Sequence, residues 1–157
     1  MLKRLQALTW TPEFNVALFA LLLNYPWEFL QGPLFEGMSQ APHWAAVETC
    51  TRAALGDVAI ALVAYWAVAL LVRSRGWIAR ATVGSVLCFA ALGVIVTVVI
   101  ERLALAGLWM GGWAYSALMP VVPVLGVGLS PLLQWTVLPP LVVWLVDRQI
   151  APAADRK

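Results

Sequence analysis

Residues 78–101 read IARATVGSVLCFAALGVIVTVVIE, and this almost wholly apolar stretch decides the fold class. An α-helix rises 1.5 Å per residue, so about 20 residues cross a hydrocarbon core about 30 Å thick. A run of this length and character predicts a transmembrane helix.

The composition of the whole chain agrees with that interpretation. Of the 157 residues, 62% are hydrophobic and 11% are charged, whereas about 25% of the residues of a soluble domain are charged. The missing polar surface must face lipid, and the length fits one domain covering residues 1–157. The net charge of +2 is spread over separate loops and forms no basic stripe, which argues against a nucleic-acid partner.

Apolar runs and their boundaries predict an all-α, polytopic membrane bundle. It has about four transmembrane helices, at residues 12–31, 52–72, 78–101 and 131–146. Thr11 and Pro12 suit the cap and first position of the first helix. Thr49 or Thr51 is the predicted cap of the second helix, which leaves residues 33–50 as a loop.

The stretch before the last helix is apolar but broken by glycines and prolines. We predict that residues 106–128 are irregular and that Ser130-Pro131 begins the fourth helix. Non-helical backbone at membrane depth is tolerated only where protein or water covers it. Residues 117–130 therefore either lie at the membrane interface or dip in against the other helices.

The basic residues predict the orientation. With the N-terminus inside, eight of the ten are cytoplasmic: Lys3, Arg4, Arg73, Arg75, Arg80, Arg148, Arg156 and Lys157. Arg52 and Arg102 face outward. This positive-inside bias predicts a multi-pass protein of the cell inner (plasma) membrane with both termini in the cytoplasm.

In that topology each helix places a polar side chain near the outer face. These side chains are Glu28, Asp57, Glu101 and Gln134. Asn24, Glu28 and Gln31 lie at i, i+4 and i+7, so they form one polar stripe on the first helix. Carboxylates at membrane depth are costly and most often functional, with partners nearby.

Several roles remain open for Glu28, Asp57 and Glu101, the candidate catalytic residues. A buried carboxyl can stay protonated and act as an acid while a second one acts as the base. The three carboxylates can instead hold a cation or pair with Arg52 and Arg102. A purely structural role is also open, because polar side chains join membrane helices through hydrogen bonds.

Other residues are candidate substrate contacts rather than catalysts. Trp109, Trp113 and Tyr115 lie in the irregular stretch beside the polar residues, and Asn24, Gln31 and Gln134 lie among the carboxylates. The sequence contains no HExxH, P-loop, GxSxG or CxxC motif. We therefore predict no metal and no cofactor.

The segment from Glu101 to Gln134 resembles a known family. Glu101, Gly112-Trp113-Ala114-Tyr115, Pro120, Gly126 and the polar opening of the last helix carry the resemblance. The segment resembles membrane-embedded carotenoid-modifying proteins, namely the small lycopene-cyclase domains and the carotenoid hydratases. The resemblance implies Glu101 as an acid or cation stabiliser and the aromatic pair Trp113 and Tyr115 as tunnel walls. A family carboxylate expected after the last loop is missing, since Gln134 stands there.

Two functional hypotheses follow. The first is a membrane protein whose outer polar pocket binds, and perhaps chemically modifies, a hydrophobic isoprenoid-like lipid, as in carotenoid biosynthesis. The alternative is a non-catalytic small membrane subunit or transporter-like binder whose carboxylates pair with a partner or a cation. The expected partners are the lipid bilayer and a hydrophobic small molecule, and either a homo- or a hetero-oligomer is compatible with the sequence.

Overall fold

The computed structural model describes residues 11–150, and within that range the chain is mostly helical. The four α-helices are α1 (Pro12–Gln31), α2 (His43–Leu71), α3 (Val83–Leu105) and α4 (Leu129–Ile150). Short 3-10 helices cover Gly32–Leu34, Met38–Gln40 and Trp77–Arg80. The basic residues Lys3, Arg4, Arg156 and Lys157, which contribute to the predicted orientation, lie outside the described residues.

The first helix has the bounds Pro12–Gln31, and its start follows from its first residues. Thr11 has the extended backbone of a cap residue, although its side chain makes no capping hydrogen bond, and Pro12 occupies the first turn. Proline fits there because the first N–H groups of a helix have no partner within it. The helix continues through Pro26 and passes directly into the 3-10 helix at Gly32–Leu34.

The predicted start of the second helix was wrong, because α2 begins at His43 and not at residue 52. Residues 43–51 are therefore helical, and neither Thr49 nor Thr51 is a cap. The hydroxyl of Thr51 instead donates to the backbone oxygen of Val47 at 2.7 Å. The stretch contains no glycine or proline, so its polar side chains are compatible with a helix that projects past the apolar run.

The last two helices also differ from their predicted bounds. The predicted start at residue 78 falls in a 3-10 helix, and α3 begins after Thr82, which forms a capping box with Ser85. Helix α4 starts at Leu129 and runs to Ile150, so Ser130-Pro131 lies inside its first turn. Pro139 and Pro140 are also inside α4, which continues past them.

The four helices pack as a ring in which α1 contacts α2 and α4, and α3 contacts the same two helices. Aromatic side chains fill much of the core. Tyr65 stacks on Trp77 with ring centroids 5.9 Å apart, and Trp77 in turn contacts Phe89. A Cβ atom at Gly93 would overlap the ring of Trp135, so glycine is what lets α3 and α4 approach so closely.

Three helices are long and apolar enough to cross a membrane: α2, α3 and α4. Helix α1 has a similar length but is not among them. It buries the polar side chains Asn15, Asn24, Glu28 and Gln31 within the bundle. Those residues lower its mean hydropathy, although they face the protein rather than its surroundings.

The connections divide the bundle into two ends. The loop between α2 and α3 lies near the start of α1, because Arg75 forms a two-bonded ion pair with Glu13 at 2.7 and 3.0 Å. The loop after α1 and the segment before α4 meet at the opposite end, where Ser116 N donates to Leu34 O at 2.9 Å. We call this second end the cluster end.

The predicted irregular segment before the last helix is largely non-helical. It includes a short antiparallel hairpin of β1 (Val121–Val122) and β2 (Val127–Gly128). Gly126 lies between these strands with a φ of +63°, a left-handed conformation that glycine adopts at little cost. The exposed side chains here are mostly apolar, including Leu118 and Val124.

Candidate functional site

The polar stripe of α1 faces the interior of the bundle at its cluster end. Asn24, Glu28 and Gln31 are each at least nine-tenths buried. The side chain of Gln31 donates to Glu28 Oε1 at 2.7 Å and accepts a hydrogen bond from Ser130 of α4 at 2.9 Å. The predicted stripe therefore exists and is directed at α4.

Gln134 is the centre of this group. Its Nε2 atom lies 2.8 Å from Asn24 Oδ1, 3.0 Å from Glu28 Oε1 and 2.8 Å from Asp57 Oδ2. Its Oε1 atom accepts from Gln31 at 3.2 Å. One side chain of α4 thus connects α1 and α2, and we call these five residues the amide–carboxyl cluster: Asn24, Glu28, Gln31, Asp57 and Gln134.

The two carboxyl groups of the cluster flank the same nitrogen, since Gln134 Nε2 lies 3.0 Å from Glu28 Oε1 and 2.8 Å from Asp57 Oδ2. Two ionised carboxylates so close to each other repel, and a single proton held by the pair would relieve that repulsion. Glu28 is buried, whereas Asp57 is only half-buried. The pair therefore suits a shared proton that is reached from the Asp57 side.

No basic side chain among residues 11–150 forms an ion pair with these carboxyls. Arg52 pairs with Glu48 on the surface at 2.5 Å, and the guanidinium of Arg102 lies against Gly126. The pairing of the carboxylates with Arg52 and Arg102, one of the options left open by the sequence, is wrong.

A second polar group surrounds Glu101 on α3. Its Oε2 atom accepts hydrogen bonds from Tyr115 OH at 2.5 Å and from Trp113 Nε1 at 3.1 Å. The Tyr115 oxygen also accepts from the backbone N–H of Gly128 at 2.8 Å. Trp113 and Tyr115, two of the predicted substrate contacts, therefore join the irregular segment to α3.

The environment of Tyr115 keeps its phenol protonated. Burial raises the pKa of Tyr115 above its ordinary value, and the hydrogen bond to Glu101 raises it further. The ring packs edge-on against Phe35, with centroids 5.6 Å apart. A neutral phenol next to a carboxyl is able to pass a proton between that carboxyl and a neighbouring molecule.

The predicted candidates thus fall into two neighbouring groups, with one exception. Glu101, near the end of α3, lies at the same end of the bundle as Glu28, near the end of α1. Trp109, in contrast, is 40% exposed, and its side chain makes none of the hydrogen bonds of these two groups. The sequence predicted no role for Phe35 or Gly128, because nothing in either loop indicates that these residues lie against Tyr115.

One buried hydroxyl near these groups has no partner. Thr97 is only 7% exposed, and its Oγ1 atom makes no hydrogen bond with any described residue. It lies one turn before Glu101 and one turn after Gly93 on α3, so it shares their face. Unpaired buried polar atoms are rare in proteins and call for an explanation.

Two spaces adjoin the groups. An internal cavity of about 10 Å³, lined by Asn24, Gln134, Phe89 and Trp135 among others, has room for about one water molecule. A larger groove of about 440 Å³ lies at the cluster end. Its walls come from both loops: Pro33, Phe35, Glu36, Gly37, Ser39, Gln40, Tyr115, Ser116, Ala117 and Leu118.

A comparison with protein-family models, curated proteins and solved structures finds no match to this chain.

Proposed function

We propose that this protein is a multi-pass inner-membrane protein that binds a hydrophobic, isoprenoid-like molecule and modifies it by carboxyl acid/base chemistry. In this proposal α1 is a fourth membrane span and both termini are cytoplasmic. The cluster end then lies at the outer face of the membrane. The proposal needs a binding space and a proton donor that touches it.

The observation that carries the proposal is the position of Tyr115. Its side chain lines the groove of about 440 Å³ and also donates to the buried Glu101. Ligand pockets commonly occupy about 300–1,000 Å³ and combine apolar walls with a few polar groups. The groove has both, with Phe35 and Leu118 among its apolar residues.

The chemistry assigned to the groove is proton transfer. In the proposed step a protonated Glu101 passes its proton through Tyr115 to a double bond of a bound polyene or prenyl group. The resulting carbocation then loses a proton from a neighbouring carbon back to the Glu101 carboxylate, so the double bond moves and the site is restored. Trp113 holds the other hydrogen bond to Glu101 and fixes its orientation. Glu28 and Asp57 act as a nearby proton reserve. The isoprenoid class rests on the apolar walls and on the resemblance of residues 101–134 to carotenoid-modifying proteins.

Mass spectrometry of co-purifying lipids tests the proposal. Wild type is compared with Glu101→Gln and with Glu48→Gln, a control that removes a charge from an exposed surface pair. We expect one polyene or prenyl species to be enriched in wild type and in the control, with a changed product pattern in Glu101→Gln. Bulk phospholipid alone in all three samples would overturn the proposal.

A non-catalytic small subunit is the second candidate, and one observation favours it. Gln134 binds residues of α1 and α2 through both of its side-chain polar atoms, which is the pattern of a structural bond between helices. The two candidates differ in their mutants. Glu28→Gln leaves a folded but inactive protein if the role is catalytic, and disrupts folding or assembly if it is structural.

A further inference from the structure

We propose that the irregular segment before α4 is an anchor in the membrane interface, and that Arg102 beside it binds the phosphate of an anionic phospholipid. Residues 117–130 then lie at the interface, one of the two placements that the sequence leaves open. This inference goes beyond the proposed function and shares with it only the placement of the bundle across a membrane.

The anchor surface consists of exposed apolar side chains on two turns of the segment. The first turn follows α3 and exposes Leu108 and Met110, with the half-exposed Trp109 between them. The second turn is the tip of the β1–β2 hairpin, where Val124 is 93% exposed. Exposed apolar area is costly in water, whereas at the interface it is buried against acyl chains, and tryptophan is enriched there.

The depth of the hairpin follows from its contacts with the last turn of α3. In that turn the Glu101 carboxyl accepts hydrogen bonds from Trp113 and Tyr115. The guanidinium of the next residue, Arg102, occupies the space that a side chain at Gly126 would take. The segment is thus held level with the end of a helix that is long and apolar enough to cross a membrane. The end of such a helix lies where the hydrocarbon meets the head groups.

The two turns satisfy several of their own backbone groups. The N–H groups of Leu125 and Gly126 both donate to Val122 O, at 3.2 and 2.8 Å, and Gly112 N donates to Trp109 O at 2.7 Å. Backbone groups that are bonded within the protein cost less to bring toward acyl chains. The hairpin is therefore suited to the interface, where water still reaches the remaining groups.

The charge of Arg102 specifies the head group. Arg102 is exposed and forms no ion pair with any residue of 11–150, whereas Arg52 at the same end pairs with Glu48. A guanidinium forms two parallel hydrogen bonds to a phosphate. A phospholipid supplies this phosphate together with acyl chains for the neighbouring apolar side chains, whereas a free phosphate ion supplies only the first. An anionic head group contains no cation that competes with the arginine.

The first experiment measures the depth of the hairpin in nanodiscs. The full-length protein carries Cys50→Ala and Cys88→Ala, and a fluorescent label is attached through Val124→Cys or through the exposed control Glu48→Cys. Nitroxide lipids quench from the bilayer, and iodide quenches from water. We expect lipid quenching at position 124 and iodide quenching at position 48.

Two results of the quenching experiment would overturn the proposal. Equal iodide quenching of both labels would place the hairpin in water. Protection of the label at position 124 from both quenchers would place the hairpin against protein, either a second copy of this chain or another partner.

The second experiment uses native mass spectrometry of the protein with its own cysteines. It compares the retention of phosphatidylglycerol and phosphatidylcholine by wild type, by Arg102→Gln and by the control Arg52→Gln, which removes a paired arginine from the same end. We expect wild type to prefer phosphatidylglycerol, and Arg102→Gln to bind one such lipid about fivefold more weakly. Arg52→Gln should match wild type, and inorganic phosphate should not displace the lipid.

The phosphate contact is contradicted by any of three results: equal retention of both lipids by wild type, unchanged retention by Arg102→Gln, or displacement by inorganic phosphate. If Arg102→Gln does not fold, the lipid preference of wild type and the depth of the hairpin still decide, because both are measured with Arg102 in place.

Discussion

Gln134 hydrogen-bonds to side chains of two other helices, and its sequence context does not reveal this. It lies 2.8–3.2 Å from side-chain atoms of four residues on two other helices. A single glutamine in an apolar helix is visible in the sequence, but its partners are distant along the chain. Its role as a centre depends on how α4 packs against α1 and α2.

Replacing Gln134 with leucine tests that role at the residue scale. Glu28, Asp57 and Asn24 would each lose a buried donor, so we expect the free energy of unfolding to fall by about 1–3 kcal/mol or more. Thermal unfolding of the purified protein in detergent measures the change. Gln149→Leu, at an exposed position of the same helix, is the control. Equal stability of the two variants would contradict the assignment.

The protonation of Tyr115 gives a second prediction. Its pKa lies above the ordinary value because of burial and Glu101, so the stability that its neutral form contributes is fully present below about pH 10. That stability is lost as the pH rises through the raised pKa. Phenolate absorbance during an alkaline titration should show one late-ionising tyrosine, which is absent from Tyr115→Phe and ionises earlier in Glu101→Gln. A late step that persists in Tyr115→Phe would refute the prediction.

At the element scale, α2 shows why polarity alone misplaced a helix boundary. The change from charged and polar residues to an apolar run predicted that this helix begins at residue 52. The helix begins at His43 instead. Helical backbone hydrogen bonding continues through polar residues where no glycine or proline interrupts it. A change in side-chain hydropathy therefore does not mark where the helix begins.

Proline substitution distinguishes the two boundaries of α2. Thr49→Pro would be tolerated in a loop, but inside a helix it removes a hydrogen bond and costs about 3 kcal/mol. We expect the variant to lose that much stability in thermal unfolding. His43→Pro, at the first position of the helix, should be nearly neutral. Similar stability of Thr49→Pro and wild type would place the helix start later in the chain.

The contact between α3 and α4 provides an element-scale test of packing. A Cβ at Gly93 would overlap the Trp135 ring, whereas a Cβ at Gly56 of α2 meets no atom within 4 Å. Gly93→Ala should therefore destabilise the protein by about 1–3 kcal/mol, although alanine favours helix formation. Gly56→Ala should be neutral or stabilising by up to about 1 kcal/mol. Chemical or thermal unfolding compares them, and the reverse order would contradict the packing.

At the scale of the whole molecule, most of the buried polar side chains lie at the cluster end of the bundle, although Asn15 and Ser85 are buried toward the other end. Antiparallel neighbours bring the end of α1, the start of α4 and the end of α3 together at the cluster end. The Glu28–Asp57 pair and the Glu101–Tyr115 pair are thus neighbours, although they come from four different parts of the chain. The proposed function depends on this proximity, because Glu28 and Asp57 serve there as a proton reserve for Glu101 and Tyr115.

Composition and helical spacing predicted an apolar, mostly helical chain, and they singled out polar residues that the structure brings together. Composition and helical spacing are local properties, so Asn24, Glu28 and Gln31 could be placed on one face of α1 without knowledge of the fold. The start of α2 and the bounds of α3 were missed because hydropathy does not record where backbone hydrogen bonding begins.

Which of those residues meet depends on the tertiary packing of the helices. Gln134 contacts Asp57 across 77 positions of the chain, and Tyr115 reaches Glu101 from a loop whose path depends on left-handed glycines. Packing likewise places Arg52 against Glu48 and Arg102 against Gly126, so neither arginine forms an ion pair with Glu28, Asp57 or Glu101 in the described structure. Contacts between distant segments depend on the geometry of all four helices together, and that geometry is not encoded in any local pattern.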